Sequence, residues 1–194
     1  MPVVTALHER PRERVEIHLD GASWRLVPAA AVVRAGLHVG RMLDRETART
    51  LARELRHADA LERAARALRP RDRSRAALDE RLARSGVPAA TRDEALATLE
   101  RVGLVDDARV AARRAEALAE RGFGDAGIRF DLEREGLAAE LVEAALAELE
   151  PEGERARALV ERRGADAKTA RWLAGKGFDA AAIEDAVGGF AEEG

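Results

Sequence analysis

The stretch Leu78-Asp-Glu-Arg-Leu82-Ala-Arg-Ser-Gly86-Val87 decides how the rest of this chain is read, because it returns twice. Its counterparts are Ile128-Arg-Phe-Asp-Leu132-Glu-Arg-Glu-Gly136-Leu137 and Thr169-Ala-Arg-Trp-Leu173-Ala-Gly-Lys-Gly177-Phe178. Each copy sets two residues four apart on one helix face and then stops at a glycine, the residue that best tolerates the left-handed position after a helix. The copies lie 50 and then 41 residues apart. A repeat of that period implies stacked helical units, each too small to bury its own apolar face. Such arrays offer a surface to a partner. A binding protein is therefore expected before an enzyme.

Working outward, each unit reads as three helices. The first takes Leu61–Leu68, Arg75–Ser85 and about 90–102. The second takes about 107–121, 126–135 and 138–149, and the third 152–163, 167–176 and 180–190. The middle helices follow Ser74, Asp125 and Asp166, all capable N-caps. The third helices share one stripe at i, i+1, i+4, i+5 and i+8. It holds Leu141, Val142, Ala145, Leu146 and Leu149 in the second unit, and Ala182, Ile183, Ala186, Val187 and Phe190 in the third. Thr91, Arg92, Ala95, Leu96 and Leu99 fill it in the first. Leu78, Leu82, Leu132, Leu146, Leu149, Leu173 and Phe190 are the expected core.

The N-terminal region differs. Val15, Ile17 and Leu19 alternate with Arg14, Glu16 and His18 in the manner of a strand. Asp20-Gly21 suits a tight hairpin, with 23–27 as the return strand and 3–7 as a third. Pro28 suits the first turn of a short helix, Ala29–Ala35. Asp44 reads as the cap of a helix running from about Arg45 to Arg69, with a break expected near His57-Ala58-Asp59. Pro70 ends it. The expected organisation is a β-rich extension plus helix over 1–57, then three-helix repeats over 58–105, 106–150 and 151–194. The fold class is mainly α: three tandem three-helix repeats in an elongated array, preceded by a small β-hairpin-containing element.

Composition narrows the function classes. The chain has 194 residues, 46% of them apolar, and no cysteine. Disulfides and thiolate metal sites are excluded. No run approaches the roughly 18 apolar residues of a membrane span, and Met1-Pro-Val-Val-Thr has no basic-then-apolar leader. A soluble cytoplasmic protein is expected, with no membrane contact. Lys168 and Lys176 are the only lysines, so arginine here reflects composition as much as recognition. Residues 1–105 carry 20 basic and 15 acidic side chains, and residues 106–194 carry 13 and 21. The basic end can meet nucleic acid or an acidic partner.

Four motifs invite a chemical reading. Arg69, Arg71, Arg73 and Arg75, with Arg81 and Arg84 on the following helix, form a basic lip able to meet phosphate or carboxylate. The plain alternative is a solvated face with Ser74 as cap. Gly103-Leu104-Val105-Asp106-Asp107 offers adjacent carboxylates, but neighbours at i and i+1 diverge and a capped turn fits better. Gly122-Phe123-Gly124-Asp-Ala-Gly127 lacks the strand and the Lys-Ser/Thr of a phosphate loop, and reads as a flexible connector. His8, His18, His38 and His57 are too scattered to ligate a metal. Trp24 suits a local core anchor, and Trp172 either that or an exposed contact. No catalytic constellation, cofactor site or metal site is expected. Helix-turn-helix DNA reading is disfavoured, since Asp131, Glu133 and Glu135 occupy a would-be recognition helix.

These residues taken in order resemble a known family. Arg71-x-Arg73-Ser74-x-x-x-Leu78-x-x-x-Leu82-x-x-x-Gly86-Val87, then Gly103-Leu104-Val105-Asp106-Asp107-x-x-Val110-Ala111, then Gly124-Asp-Ala-Gly127-Ile128 through Leu132 and Gly136-Leu137, resemble the RecX family of bacterial RecA regulators. The resemblance covers about 58–190, and the β-rich start resembles the extension of longer members. It departs at Val110, where the family usually has Phe, at Gly127, where it has Arg, and at Thr169. The resemblance implies a non-enzymatic monomer, without cofactor, that lies in the groove of the RecA–DNA filament. It would modulate, and most often inhibit, strand exchange, ATPase and co-protease activity in DNA repair, recombination and the SOS response. The alternative is a helical repeat protein that contacts DNA itself through the Arg69–Arg84 surface.

Overall fold

The computed structural model describes residues 1–188, which form three strands and ten helices. Strands β1 (Val4–Arg10), β2 (Arg14–Leu19) and β3 (Ala22–Pro28) make one antiparallel sheet in sequence order. Asp20 and Gly21 both take positive φ, 50° and 87°, as the expected two-residue hairpin requires. The inner face buries Val4, Val15, Ile17 and Val27 under Ala31 and Val32 of α1 (Ala29–Arg34) and Leu51 of α2 (Arg45–Leu68). Trp24 is not a core anchor: it is 43% exposed. Ile17 pairs with Arg25 and His18 with Ser23, so Trp24 is the extra residue of a bulge and leaves the inward alternation.

Helix α2 begins at Asp44, whose carboxylate accepts the Thr47 N–H at 2.7 Å. The break expected near His57 is absent. Thr47, Leu51, Glu54, His57, Ala60, Ala64 and Ala67 are all buried at intervals of three or four, one uninterrupted helical stripe. The expected boundary at 57/58 therefore falls inside a continuous helix. Then follow α3 (Arg75–Arg84), α4 (Ala89–Arg101), α5 (Asp107–Glu120), α6 (Asp125–Arg134), α7 (Ala139–Ala147), α8 (Glu152–Arg163), α9 (Ala167–Gly175) and α10 (Ala180–Gly188).

The chain divides into two compact units. One comprises residues 1–71 and 78–104, the other residues 72–77 and 105–194. In the first, α2 lies against α4. In the second, α5–α7 close around Val110, Ala115, Ile128, Leu132, Val142 and Leu146, and α8–α10 around Ala156, Val160, Leu173, Phe178 and Ala186.

The recurring decapeptide is one physical device used three times. Gly86, Gly136 and Gly177 all have φ near +80°. Each glycine N–H bonds back three residues, and the next residue's N–H reaches Leu82 O, Leu132 O or Leu173 O at 3.2–3.3 Å. That paired closure satisfies the last carbonyls of the helix and drives Val87, Leu137 or Phe178 into the core. Of the expected core, Leu78, Leu82, Leu132, Leu146 and Leu173 are buried and Leu149 is half-buried. Phe190 lies outside the described residues. The first unit's polar slot is explained by Arg92, which ion-pairs Asp79 at 2.7 Å and donates to Val87 O.

The glycine segment 122–127 is no flexible connector. Gly124 N–H donates to Lys176 O at 3.0 Å and Ala126 N–H to Gly177 O at 3.1 Å. A Cβ on Gly124 would lie 2.3 Å from Phe178 N, and one on Gly127 2.4 Å from Lys176 O. Two backbones touch here, and only glycine leaves the space. Gly124, not Asp125, is the residue before α6. Asp125 instead holds Arg155, whose buried guanidinium also donates to Glu150 O and Phe123 O.

Candidate partner-binding surface

The two Arg-x-x-Arg spacings, Arg63/Arg66 on α2 and Arg81/Arg84 on α3, each put two guanidiniums on one helix face. All four stand in the C-terminal halves of their helices, where the dipole favours cations. Folding brings the two pairs together around a cleft of about 440 Å³ in the first unit, with Ala67, Leu82 and Ser85 completing its wall. Leu82 is fully buried, so the walls are charged while part of the lining is apolar.

Three of these arginines hold carboxylates from their own helix: Arg63 with Asp59 at 2.7 Å, Arg66 with Glu62 at 3.7 Å and Arg84 with Glu80 at 3.5 Å. The carboxylates are half exposed or more, so each pair contributes only a few tenths of a kcal/mol and exchanges readily for an external anion. Arg81 has no ion pair among the described residues. The arrangement can bind a phosphate or carboxylate group through several forked donors at once.

The six arginines of the expected lip divide. Arg81 and Arg84 line this cleft. Arg69 and Arg71 are exposed at the end of α2. Arg73 and Arg75 are half-buried and belong to the other unit. There Ser74 accepts the Ala77 N–H and donates to Glu135 O, while the Arg75 N–H donates to Asp107 at 2.7 Å. Asp72 lies 3.1 Å from Arg113 and 3.7 Å from Arg109. Arg63 and Arg66 were missed because they sit in another helix; their matching i, i+3 spacing was the available signal.

The paired carboxylates are both committed to helix starts. Asp106 caps α5 through the Arg109 N–H at 2.9 Å, and Asp107 caps α3 from a distance of 32 residues. Among the described residues no group of three or more His, Asp or Glu side chains could hold a metal ion, and no helix is long and apolar enough to cross a membrane.

The backbone as a whole superposes on the crystal structure of regulatory protein RecX with a TM-score of 0.83, covering 96% of this chain and 98% of that one at 22% identity. The chain carries the RecX fold. RecX from Lactobacillus salivarius aligns over 71% of this chain and 97% of its own, with a TM-score of 0.62 and 18% identity. No protein-family model matches the sequence, and no curated protein matches it. The first RecX match extends over nearly the whole chain, so the N-terminal sheet belongs to the shared architecture. In this version of the RecX fold, Gly127 is required by the close approach of Lys176 O. An arginine there would need the 176–177 loop to move.

Proposed function

We propose that this chain is a RecX-type regulator, non-enzymatic and cytoplasmic, that binds RecA or the RecA–DNA filament and inhibits the recombinase and its linked ATPase and co-protease activities. The observation that carries this reading is the fold match to regulatory protein RecX over nearly the full length of both chains. The ordered motifs from Arg71 to Leu137 support it independently. So does the commitment of Asp106 and Asp107, the adjacent carboxylates of the 103–107 motif, to capping.

The contact surface in this reading is the arginine cleft of Arg63, Arg66, Arg81 and Arg84. A nucleoprotein filament presents phosphates and acidic side chains, and weakly held surface arginines can pair with either. A chain of repeats can also touch successive protomers of a filament and gain effective concentration with each contact. The test is RecA-dependent ATP hydrolysis on single-stranded DNA with this protein titrated in. The wild-type protein should inhibit, and inhibition should weaken as salt screens exposed charges beyond about 10 Å at 0.1 M. Reversing Arg81 and Arg84 to Glu should abolish most of the inhibition without unfolding α3. A wild-type protein without effect on RecA refutes the reading, and an unimpaired R81E/R84E variant refutes the cleft as its contact.

A further inference from the structure

Residues 155–176 contradict their surroundings. They hold seven of the thirteen basic side chains of residues 106–194 but only two of its twenty-one acidic ones. Both lysines of the chain are among them. The half-chain balance hides this block.

Within it, and reaching into the neighbouring loop, cations and rings alternate. Arg121 sits 5.5 Å from the centre of Phe123, Lys176 Nζ 3.8 Å from Phe123 and 5.7 Å from Trp172, and Arg163 4.0 Å from Trp172. The order is Arg121, Phe123, Lys176, Trp172, Arg163. None of the three cations has a carboxylate within ion-pair distance among the described residues. Arg109, Arg113, Arg114, Arg129, Arg134 and Arg155 of the same unit are ion-paired, whereas the basic side chains of 155–176 other than Arg155 share the ladder cations' lack of an ion pair among the described residues. Both rings are half-buried. Trp172 is anchored where its edge meets Gly122 and Leu159. The backbone crossing at Gly124, Gly127 and Gly177 holds the two rings in a fixed relation.

We infer that this ladder is a binding site for single-stranded nucleic acid. Half-buried rings covered only by cations without ion pairs suit unstacked bases, which take the cations' place on the rings while the charges take the phosphates between them. A base entering over Trp172 displaces the Arg163 guanidinium from the ring and leaves it free to bond the adjacent phosphate. A duplex offers the same phosphates but keeps its base faces stacked, so it can use the cations and not the rings. An acidic protein segment would likewise engage only the charges. Nothing in the ladder requires RecA, so the test uses bare oligonucleotide and is separate from the ATPase assay.

Trp24→Phe leaves Trp172 as the sole tryptophan and alters only an exposed bulge in the other unit. In this background an oligothymidylate of about 16 nucleotides should quench Trp172 emission saturably at low salt. A duplex of equal length and heparin should bind more weakly and leave the emission nearly unchanged. Arg163→Gln with Lys176→Gln should lower single-strand affinity about tenfold or more, while thermal unfolding followed by circular dichroism stays close to the parent. Lys176 keeps its backbone bonds in that variant, since its carbonyl, not its side chain, accepts the Gly124 N–H at the crossing. Absence of quenching, equal affinity for duplex, or unchanged affinity in a folded double variant overturns the assignment. If the double variant unfolds, Arg121→Gln alone, on an exposed side chain at the ladder's end, must weaken single-strand binding or the assignment fails.

Discussion

Gly127→Ala should destabilise the protein although it puts a better helix former inside a helix. Gly127 is the third residue of α6 and has no unusual φ. Helix propensity alone predicts a gain of roughly 1 kcal/mol. Space decides against it. The added Cβ would lie 2.4 Å from Lys176 O and 3.2 Å from the Phe123 ring, so the 176–177 loop must withdraw. Withdrawal strains or breaks the bonds from Gly124 N–H and Ala126 N–H to that loop, worth about 1 kcal/mol each, and adds an overpacking cost of about 1–3 kcal/mol. The net expectation is a loss of about 2–4 kcal/mol once the propensity gain is subtracted. Gly153→Ala supplies the control. It also lies in a helix, α8, but a Cβ there meets nothing within 4 Å. Urea unfolding should show the midpoint falling for Gly127→Ala and holding or rising for Gly153→Ala. A Gly127→Ala protein as stable as Gly153→Ala would refute the backbone-crossing account, and with it the reason given for the missing arginine.

Arg155→Met should cost about 3–5 kcal/mol, because it leaves Asp125, Phe123 O and Glu150 O without their buried donor; chemical denaturation reads this directly. Ser74→Ala removes a fully buried cap that also donates to Glu135 O, so a loss of about 1–2 kcal/mol is expected by the same measurement. His57 is 3% exposed and neither ring nitrogen has a hydrogen-bond partner. Burial, then the Arg34 charge, hold its pKa below the ordinary 6.5, against the opposing pull of Glu54 and Glu94; Arg101 adds to the lowering. The unfolded chain therefore takes up the proton first. Stability should be full above about pH 6.5 and fall as pH drops below it, levelling off only under the folded-state pKa. His57→Leu should remove that part of the slope in melts recorded between about pH 5 and 7.

Local signals were legible wherever chain neighbours decide the outcome. Asp20-Gly21, Asp44, Ser74, Asp106, Asp166 and the three closing glycines act on residues within a few positions, and each does what its chemistry predicts. Trp24 and the 122–127 glycines were misjudged because their reasons are distant. Trp24's exposure depends on a register shift against β2. The glycines answer to a loop some fifty residues later. Periodicity cannot report either. No break occurs at His57, because Glu54 and His57 share the buried stripe of α2, with Arg34 2.9 Å from Glu54.

The same limit applies to the two candidate surfaces. Three similar helix closures build one scaffold three times; burial fixes their Leu positions and a positive φ their Gly positions, whatever the partner is. The residues between them are free to differ, and they do: Asp79, Arg129 and Ala170 follow the first position of each copy. In the first copy Arg81 and Arg84 complete a cleft with Arg63 and Arg66. In the third, Trp172 and Lys176 join Phe123 from the loop before the second. The first cluster joins two helices of one repeat, whereas the second spans two repeats, so alignment of the repeats with one another cannot show the second. The repeat signal marks the frame that holds such groups in position, and the side chains between its fixed positions are what differ from copy to copy.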